Sequence, residues 1–191
     1  MELIFATQNK NKVDEVVSKL GPAFAVKNLL EVGISEELPE TSDTLEGNAL
    51  QKARYVYKKT GLSCFADDTG LEITALNGEP VVYSARFAGP NKSSKDNMKM
   101  VLDKLKGANT RDAQFRTVLA LILNGEEYVF SGEMKGEITE EEKGSEGFGY
   151  DPIFRPKGQL KTYAQMSKEE KNSLSHRAIA LDRLVRFLEG V

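Results

Sequence analysis

Two adjacent carboxylates, Asp67 and Asp68, follow the apolar run Leu62-Ser63-Cys64-Phe65-Ala66 and precede Thr69-Gly70-Leu71. The run predicts a short buried strand that ends at the acids. Gly70 is expected to turn the chain before a second apolar run, Leu71 to Leu76. Neighbouring carboxylates at a strand end repel each other and are costly to desolvate unless a cation or proton lies between them. A polar turn capped by Asp side chains accounts for the same residues, so both readings stand at this point. A third acid, Glu40, follows Pro39 in the acidic, turn-rich segment Ser35 to Thr44. Basic groups gather at two helix starts, Lys10 and Lys12 in one and His176 and Arg177 in the other, with Lys52 and Lys171 as further candidates. A cation in a first helical turn opposes the helix dipole, so these positions suit an incoming anion. Finally, Gly144-Ser145-Glu146-Gly147-Phe148-Gly149-Tyr150-Asp151-Pro152 encloses two aromatics and an acid between glycines. Glycine allows close backbone approach to a ligand, and an aromatic offers a stacking face. A plain loop with core aromatics fits that stretch equally when it is taken alone.

Elements that would position these groups follow from periodicity. Leu3-Ile4-Phe5-Ala6 predicts a strand, and Thr7 to Lys12 a polar loop with Asn9 as candidate N-cap. Val13, Val16, Val17 and Leu20 predict one helical stripe, closed by Gly21-Pro22. Phe24 to Leu30 reads as a second strand. Asp43-Thr44-Leu45-Glu46 resembles a capping box opening a helix that buries Leu45, Ala49, Ala53 and Val56 and ends at Gly61. Lys52 and Arg54 fall on its other faces, where solvation is the commoner fate. Asn77-Gly78 suggests a hairpin. Ser93 or Ser94 caps a helix with the stripe Met98, Val101, Leu102 and Leu105. Phe115 to Leu123, apolar on both faces from Val118, predicts a central covered strand. Asn124-Gly125 then turns it into a partner, Glu127 to Lys135. Glu140 to Lys143 reads as a solvated turn. Ser167-Lys168-Glu169-Glu170 is a capping box, and Ser175-His176-Arg177 opens a last helix with the stripe Ala178, Leu181, Leu184, Val185 and Leu188.

A length of 191 residues predicts a single domain over 1–191 with a core of its own. A net charge of -3 gives no footprint for nucleic acid or an anionic membrane. One cysteine, Cys64, and one histidine, His176, exclude a disulfide framework and a Cys/His zinc site within one chain. The N-terminus has no basic segment followed by a long apolar core, and no apolar run approaches spanning length, so cytoplasm is the expected compartment. Acids that hold a hard divalent cation, cations that grip phosphates and an aromatic slot for a base together suit a nucleoside triphosphate. Neither G-x-x-x-x-G-K-[ST] nor G-x-S-x-G occurs, which argues against a P-loop enzyme and a serine hydrolase.

Five motifs, in order, carry a resemblance. They are Thr7-Gln8-Asn9-Lys10-Asn11-Lys12, Ala66-Asp67-Asp68-Thr69-Gly70-Leu71, Tyr83-Ser84-Ala85-Arg86, Gly147-Phe148-Gly149-Tyr150-Asp151-Pro152 and Ser175-His176-Arg177. From Leu3 to the final helix the chain resembles the Ham1 group of inosine triphosphate pyrophosphatases. Thr69 stands where some members have Ser. The resemblance implies an elongated α/β fold, a mixed β-sheet core with flanking helices and two lobes around a central active-site cleft, in a homodimer. It implies Mg2+-dependent hydrolysis of dITP, ITP and XTP to the monophosphate and pyrophosphate, with no nucleic-acid or membrane partner. Carried over by position, Asp68 is the proton acceptor and a metal ligand, and Glu40 the second metal-linked acid. Thr7, Gln8, Asn9, Lys10, Asn11, Lys12, Lys52 and Lys171 match phosphate-side positions, with Thr69 beside them. Phe148, Gly149, Tyr150, Asp151, His176 and Arg177 match base recognition. The runners-up are a Maf-like pyrophosphatase for modified pyrimidine nucleotides and a nucleotide sensor without turnover.

Overall fold

Eleven helices and strands, joined by short 3-10 turns, make up the computed structural model, which describes residues 1–20 and 24–190. In chain order they are β1 (Glu2–Phe5), α1 (Lys10–Leu20), β2 (Ala25–Lys27), α2 (Leu45–Thr60), β3 (Cys64–Ile73), α3 (Ser94–Lys104), β4 (Asp112–Leu123), β5 (Glu126–Ile138), β6 (Phe154–Pro156), α4 (Lys168–Leu174) and α5 (His176–Leu188). The strands form one mixed sheet in the order β2-β1-β3-β4-β5-β6. β1 runs parallel to β2, with Leu3 opposite Val26, and parallel to β3, with Phe5 opposite Phe65. β5 and β6 are antiparallel, with Glu137 opposite Arg155. This is the mixed α/β class that the sequence implies.

The chain divides into two compact units, Met1–Asp68 with Thr117–Gly132 and Arg177–Val191, and Thr69–Arg116 with Glu133–His176. In the first, Leu3, Phe5 and Phe65 from the strands meet Val16 and Leu20 of α1 and Leu181, Leu184 and Leu188 of α5. Phe5 and Phe65 stack at 4.6 Å between ring centroids. In the second, Leu71, Phe115, Ile138 and Phe154 pack with Met98 and Val101 of α3 and with Tyr150 and Tyr163.

Local signals place most boundaries. Thr44 caps α2 by accepting the Gly47 N–H at 3.0 Å, one residue later than the capping box expected from Asp43. Gly61, left-handed at φ 68°, closes it. Ser93 caps α3, and Ser167 with Glu170 forms the reciprocal box at α4. Asn124 and Gly125, both at positive φ, join β4 to β5.

Several expectations are corrected. β3 does not end at the two acids. It continues unbroken through Asp67, Asp68, Thr69 and Gly70 to Ile73. Gly70 is no turn: a Cβ there would lie 2.7 Å from the Val81 carbonyl oxygen, so the missing side chain admits a neighbouring backbone. The second strand is only Ala25–Lys27 and gives way to a 3-10 turn at Leu30–Val32. Beyond Asn77-Gly78 the hairpin shrinks to one bridge between Glu72 and Pro80. Val17 is 50% exposed, because the α1 stripe narrows to Val16 and Leu20. The Gly21-Pro22 stop lies outside the described residues.

Candidate functional site

Asp67 and Asp68 point to different partners, as consecutive strand residues must. Asp67 is fully buried, and its Oδ1 accepts from Lys12 Nζ at 2.9 Å while its Oδ2 accepts from Arg177 Nε and Nη2 at 3.3 and 3.2 Å. Arg177 also pairs through Nη1 with Glu15, one turn along α1 from Lys12. One cation from each helix start, Lys12 and Arg177, therefore finds an anion inside the protein. The dipole argument correctly requires a negative partner; that partner is a buried carboxylate of β3.

Asp68 faces α2. Its Oδ2 accepts from Asn48 Nδ2 at 3.1 Å and its Oδ1 from Lys52 Nζ at 3.3 Å. Asn48 and Lys52 are four apart on α2, hence on one face. Lys52 is buried, against the expectation of a solvated face, whereas Arg54 is exposed and pairs with Glu127. Lys52 Nζ further donates to Glu40 Oε1 at 2.5 Å and to the Asp67 carbonyl at 2.6 Å. Glu40 is held in reach from α2 as well. Gln51 exchanges two 2.9 Å hydrogen bonds with Thr41, and Asn48 Oδ1 accepts the Ser42 N–H at 2.8 Å.

Burial alone would raise the pKa of both acids. At Asp67 it is outweighed by Lys12, Arg177 and Lys52, and the carboxyl is held well below the usual range. At Asp68 burial prevails over Lys52 and Lys12, with Glu40 and Asp67 adding repulsion, and the pKa rises. That is the direction a proton acceptor needs. Burial pulls the Lys52 ammonium downward, yet Asp68, Asp67 and Glu40 more than offset it. For Lys12 burial wins and the pKa falls. Among the described residues no three His, Cys, Asp or Glu side chains converge as a ready metal cage. Glu40, Asp68 and the Asp67 carbonyl nevertheless present three hard oxygens to one cation, the Lys52 ammonium, a donor type that also suits hard divalent ions.

The remaining loop residues have local duties. Thr7 Oγ1 accepts the Asn9 N–H, and Asn9 Oδ1 caps α1 by accepting from Asn11 and Lys12 N–H at 3.0 and 3.4 Å. Gln8 Nε2 donates to the carbonyls of Ser35 and Glu36. The Lys10 and Asn11 side chains are exposed, and Thr69 is half-buried.

The second unit carries its own cluster. Asp151 is buried, and its Oδ2 accepts from Lys171 Nζ at 2.7 Å and from the Phe148 N–H at 2.9 Å. The Lys171 ammonium also lies 4.7 Å from the Phe148 ring centroid and 5.4 Å from that of Tyr163. Lys171 thus stands beside Phe148 and Asp151 within its unit; the resemblance matches it to a phosphate-side position. Gly147 and Gly149 take positive φ, and a Cβ on Gly147 would lie 2.1 Å from Asp151 Oδ2. The close approach that glycine permits there is to the loop's own acid. Tyr150 is buried in the core, its hydroxyl donating to the Ser84 carbonyl at 2.7 Å, and burial pushes its pKa up. It is a strut of the loop. His176, 3% exposed, stacks on Phe115 of β4 at 4.6 Å and 13° between ring planes.

Sequence reading alone missed Asn48, Glu15 and Phe115. Asn48 carried a usable signal: a polar residue one turn from Lys52, flanking the apolar stripe of α2. Phe115 carried none, since only the tertiary structure brings β4 under the start of α5.

A mixed-sheet α/β protein with a buried carboxylate–lysine–arginine cluster and a separate aromatic–acid–histidine cluster is the class so defined. Residues 3–187 match the Ham1 family, and the chain belongs to it. It is 50% identical over 188 residues to the dITP/XTP pyrophosphatase of Flavobacterium johnsoniae, covering 98% of each chain. Among solved structures it is similar to the Ham1 protein of Staphylococcus aureus, at 41% identity and TM-score 0.90 over 100% of this chain and 99% of the other. The HAM1 protein of Coxiella burnetii superposes at TM-score 0.91 and 37% identity over the whole of both chains.

Proposed function

We propose that this protein hydrolyses dITP, ITP and XTP to the nucleoside monophosphate and pyrophosphate, and that residues 1–191 act as a single functional domain. One observation carries the reading most directly. Asp68, with its pKa raised, stands beside a lysine and a second acid on three hard oxygens. Full-length relatives named for dITP and XTP support the substrate class.

Glu40 and Asp68 would hold the metal, assigned here to Mg2+. When bound it supplies charge neutralisation at the triphosphate and a more acidic water. Asp68 takes the proton of the attacking water, with Asn48 Nδ2 on its Oδ2 fixing the orientation of the carboxylate. Lys12 lines the phosphate end with Thr7, Gln8, Asn9, Lys10 and Asn11, and Thr69 adjoins it. Asp67, engaged by Lys12 and Arg177, positions those cations and leaves the metal to its neighbour.

Phe148 stacks on the base, while Asp151, Lys171 and the Gly149 backbone shape its edge. His176 and Arg177 donate to the 6-oxo group, which hypoxanthine and xanthine possess and adenine lacks. A buried donor left without its acceptor is strongly disfavoured, so adenine is rejected. The working form is a homodimer in the cytoplasm. Among the described residues no helix is long and apolar enough to cross a membrane.

Incubation with dITP, XTP, dATP and dGTP, with and without Mg2+, tests the reading. Metal-dependent pyrophosphate release from dITP and XTP is expected. Orthophosphate as first product, or dATP as best substrate, overturns it; tight dITP binding without turnover would make the protein a sensor.

A further inference from the structure

Lys52 reads from the resemblance as a phosphate contact, yet in the structure its ammonium has no proton left for a phosphate. Its three N–H groups meet Glu40 Oε1 at 2.5 Å, the Asp67 carbonyl at 2.6 Å and Asp68 Oδ1 at 3.3 Å. Glu40 and Asp68 are also the acids proposed to hold the metal. The remaining oxygen of Asp68 is engaged by Asn48. Two cations within about 3 Å of each other repel by several kcal/mol even at an effective dielectric constant near 20. A hard divalent ion and the Lys52 ammonium therefore cannot share these oxygens at full strength.

We propose that Lys52 is the built-in counter-ion of the metal site. In the nucleotide-free protein its ammonium occupies the three-oxygen cage. It is displaced only when a divalent cation arrives with a triphosphate, whose oxygens then receive the released ammonium. The exchange keeps the buried Asp68 and its exposed neighbour Glu40 neutralised in both states, and it makes metal binding depend on the substrate. The free protein neither scavenges metal nor leaves the buried Asp68 carboxylate without a counter-ion, which would be destabilising. The flexible four-carbon stem of lysine suits such movement, which a planar arginine fork would not.

This inference rests on Glu40 and Asp68 being the metal ligands, so the experiment separates the two ideas. Mn2+ binding to the full-length protein is followed by electron paramagnetic resonance, without nucleotide and with the α,β-imido analogue of ITP. Without nucleotide, Lys52→Met should bind Mn2+ at least about tenfold more tightly than wild type. Adding Glu40→Gln to that variant should abolish the gain. In wild type, the analogue should bring affinity up to that of the variant. Equal nucleotide-free affinities of wild type and Lys52→Met overturn the counter-ion and leave the metal ligands standing. If Glu40→Gln and Asp68→Asn leave Mn2+ binding with the analogue unchanged, both ideas fall. Circular dichroism checks folding. Should Lys52→Met not fold, Lys52→Gln keeps an N–H for the Asp67 carbonyl and gives the same comparison.

Discussion

Neighbouring acids of one strand carry opposite electrostatic fates here, because successive side chains leave a strand on opposite faces. Asp67 is neutralised by Lys12 and Arg177, whereas Asp68 is desolvated with less compensation. Asp67→Asn should cost about 3–5 kcal/mol in denaturant unfolding, since it takes the shared carboxylate from the buried Arg177 and the half-buried Lys12. Asp68→Asn should fold with near wild-type stability and lose pyrophosphate release. Equal stabilities of the two variants would contradict this division. The pH dependence has a definite sign. Asp67 is depressed below its unfolded value of about 3.9, so its contribution is complete above about pH 5 and is lost as pH falls through the folded value. The stability gap between wild type and Asp67→Asn should accordingly narrow in acid, as read by thermal unfolding. Cys64 gives a third expectation at this scale. Burial pushes its thiol up to about 12, and Sγ donates to the Ala53 carbonyl. Iodoacetamide at pH 8 should label it only after unfolding.

At the scale of elements, α2 and β4 act as frames for residues that they do not resemble in character. One face of α2 carries Asn48 and Lys52 beside the fully buried Leu45, Ala49, Ala53 and Val56. Apolar packing thus fixes the depth at which the polar pair meets Asp68. β4 brings Phe115 against the His176 ring. Phe115→Leu should keep most of the packing and lose the stack, worth about 0.5–1.5 kcal/mol. The expected result is a roughly 2–10-fold fall in the ratio of dITP to dATP hydrolysis, with the phosphate-side chemistry unaltered. An unchanged ratio would free His176 from dependence on that ring. α5 contributes differently. Its stripe of Leu181, Leu184 and Leu188 packs into the first unit, and Leu184→Ala should cost about 2–5 kcal/mol.

For the molecule as a whole, each unit keeps its own apolar core and its own polar cluster, and the sequence passes between them at Asp68-Thr69, Arg116-Thr117, Gly132-Glu133 and His176-Arg177. A ligand that engages only the native state stabilises it by mass action. The imido analogue of ITP with Mg2+ at 100 times its dissociation constant should add about 2.7 kcal/mol. For a chain of this size that raises the melting temperature by roughly 5–11 °C. No shift would argue against a preformed site.

Periodicity and punctuation alone determined most of the elements. Gly61, Ser93, the Ser167–Glu170 box and Asn124-Gly125 stand where local backbone chemistry put them, because caps and tight turns depend on residues only a few positions apart. The ordered motifs likewise delivered the family and Lys12, Asp67, Asp68, Phe148, Asp151, His176 and Arg177 of the two clusters, whereas Asn48, Glu15 and Phe115 lie outside them. What the sequence could not decide was which charge answers which. It ended β3 at Asp67 because a lone buried acid is prohibitive, and only the folded chain brings Lys12, from 55 positions away, and Arg177, from 110, to make it tolerable. Periodicity weighed a solvated face for Lys52, because a lysine beside an apolar stripe usually stays there, and the resemblance a phosphate contact; only tertiary structure closes three oxygens around it. Local order is encoded in neighbours along the chain. The compensation of buried charge is a long-range property, and it exists only once distant segments share one low-dielectric interior.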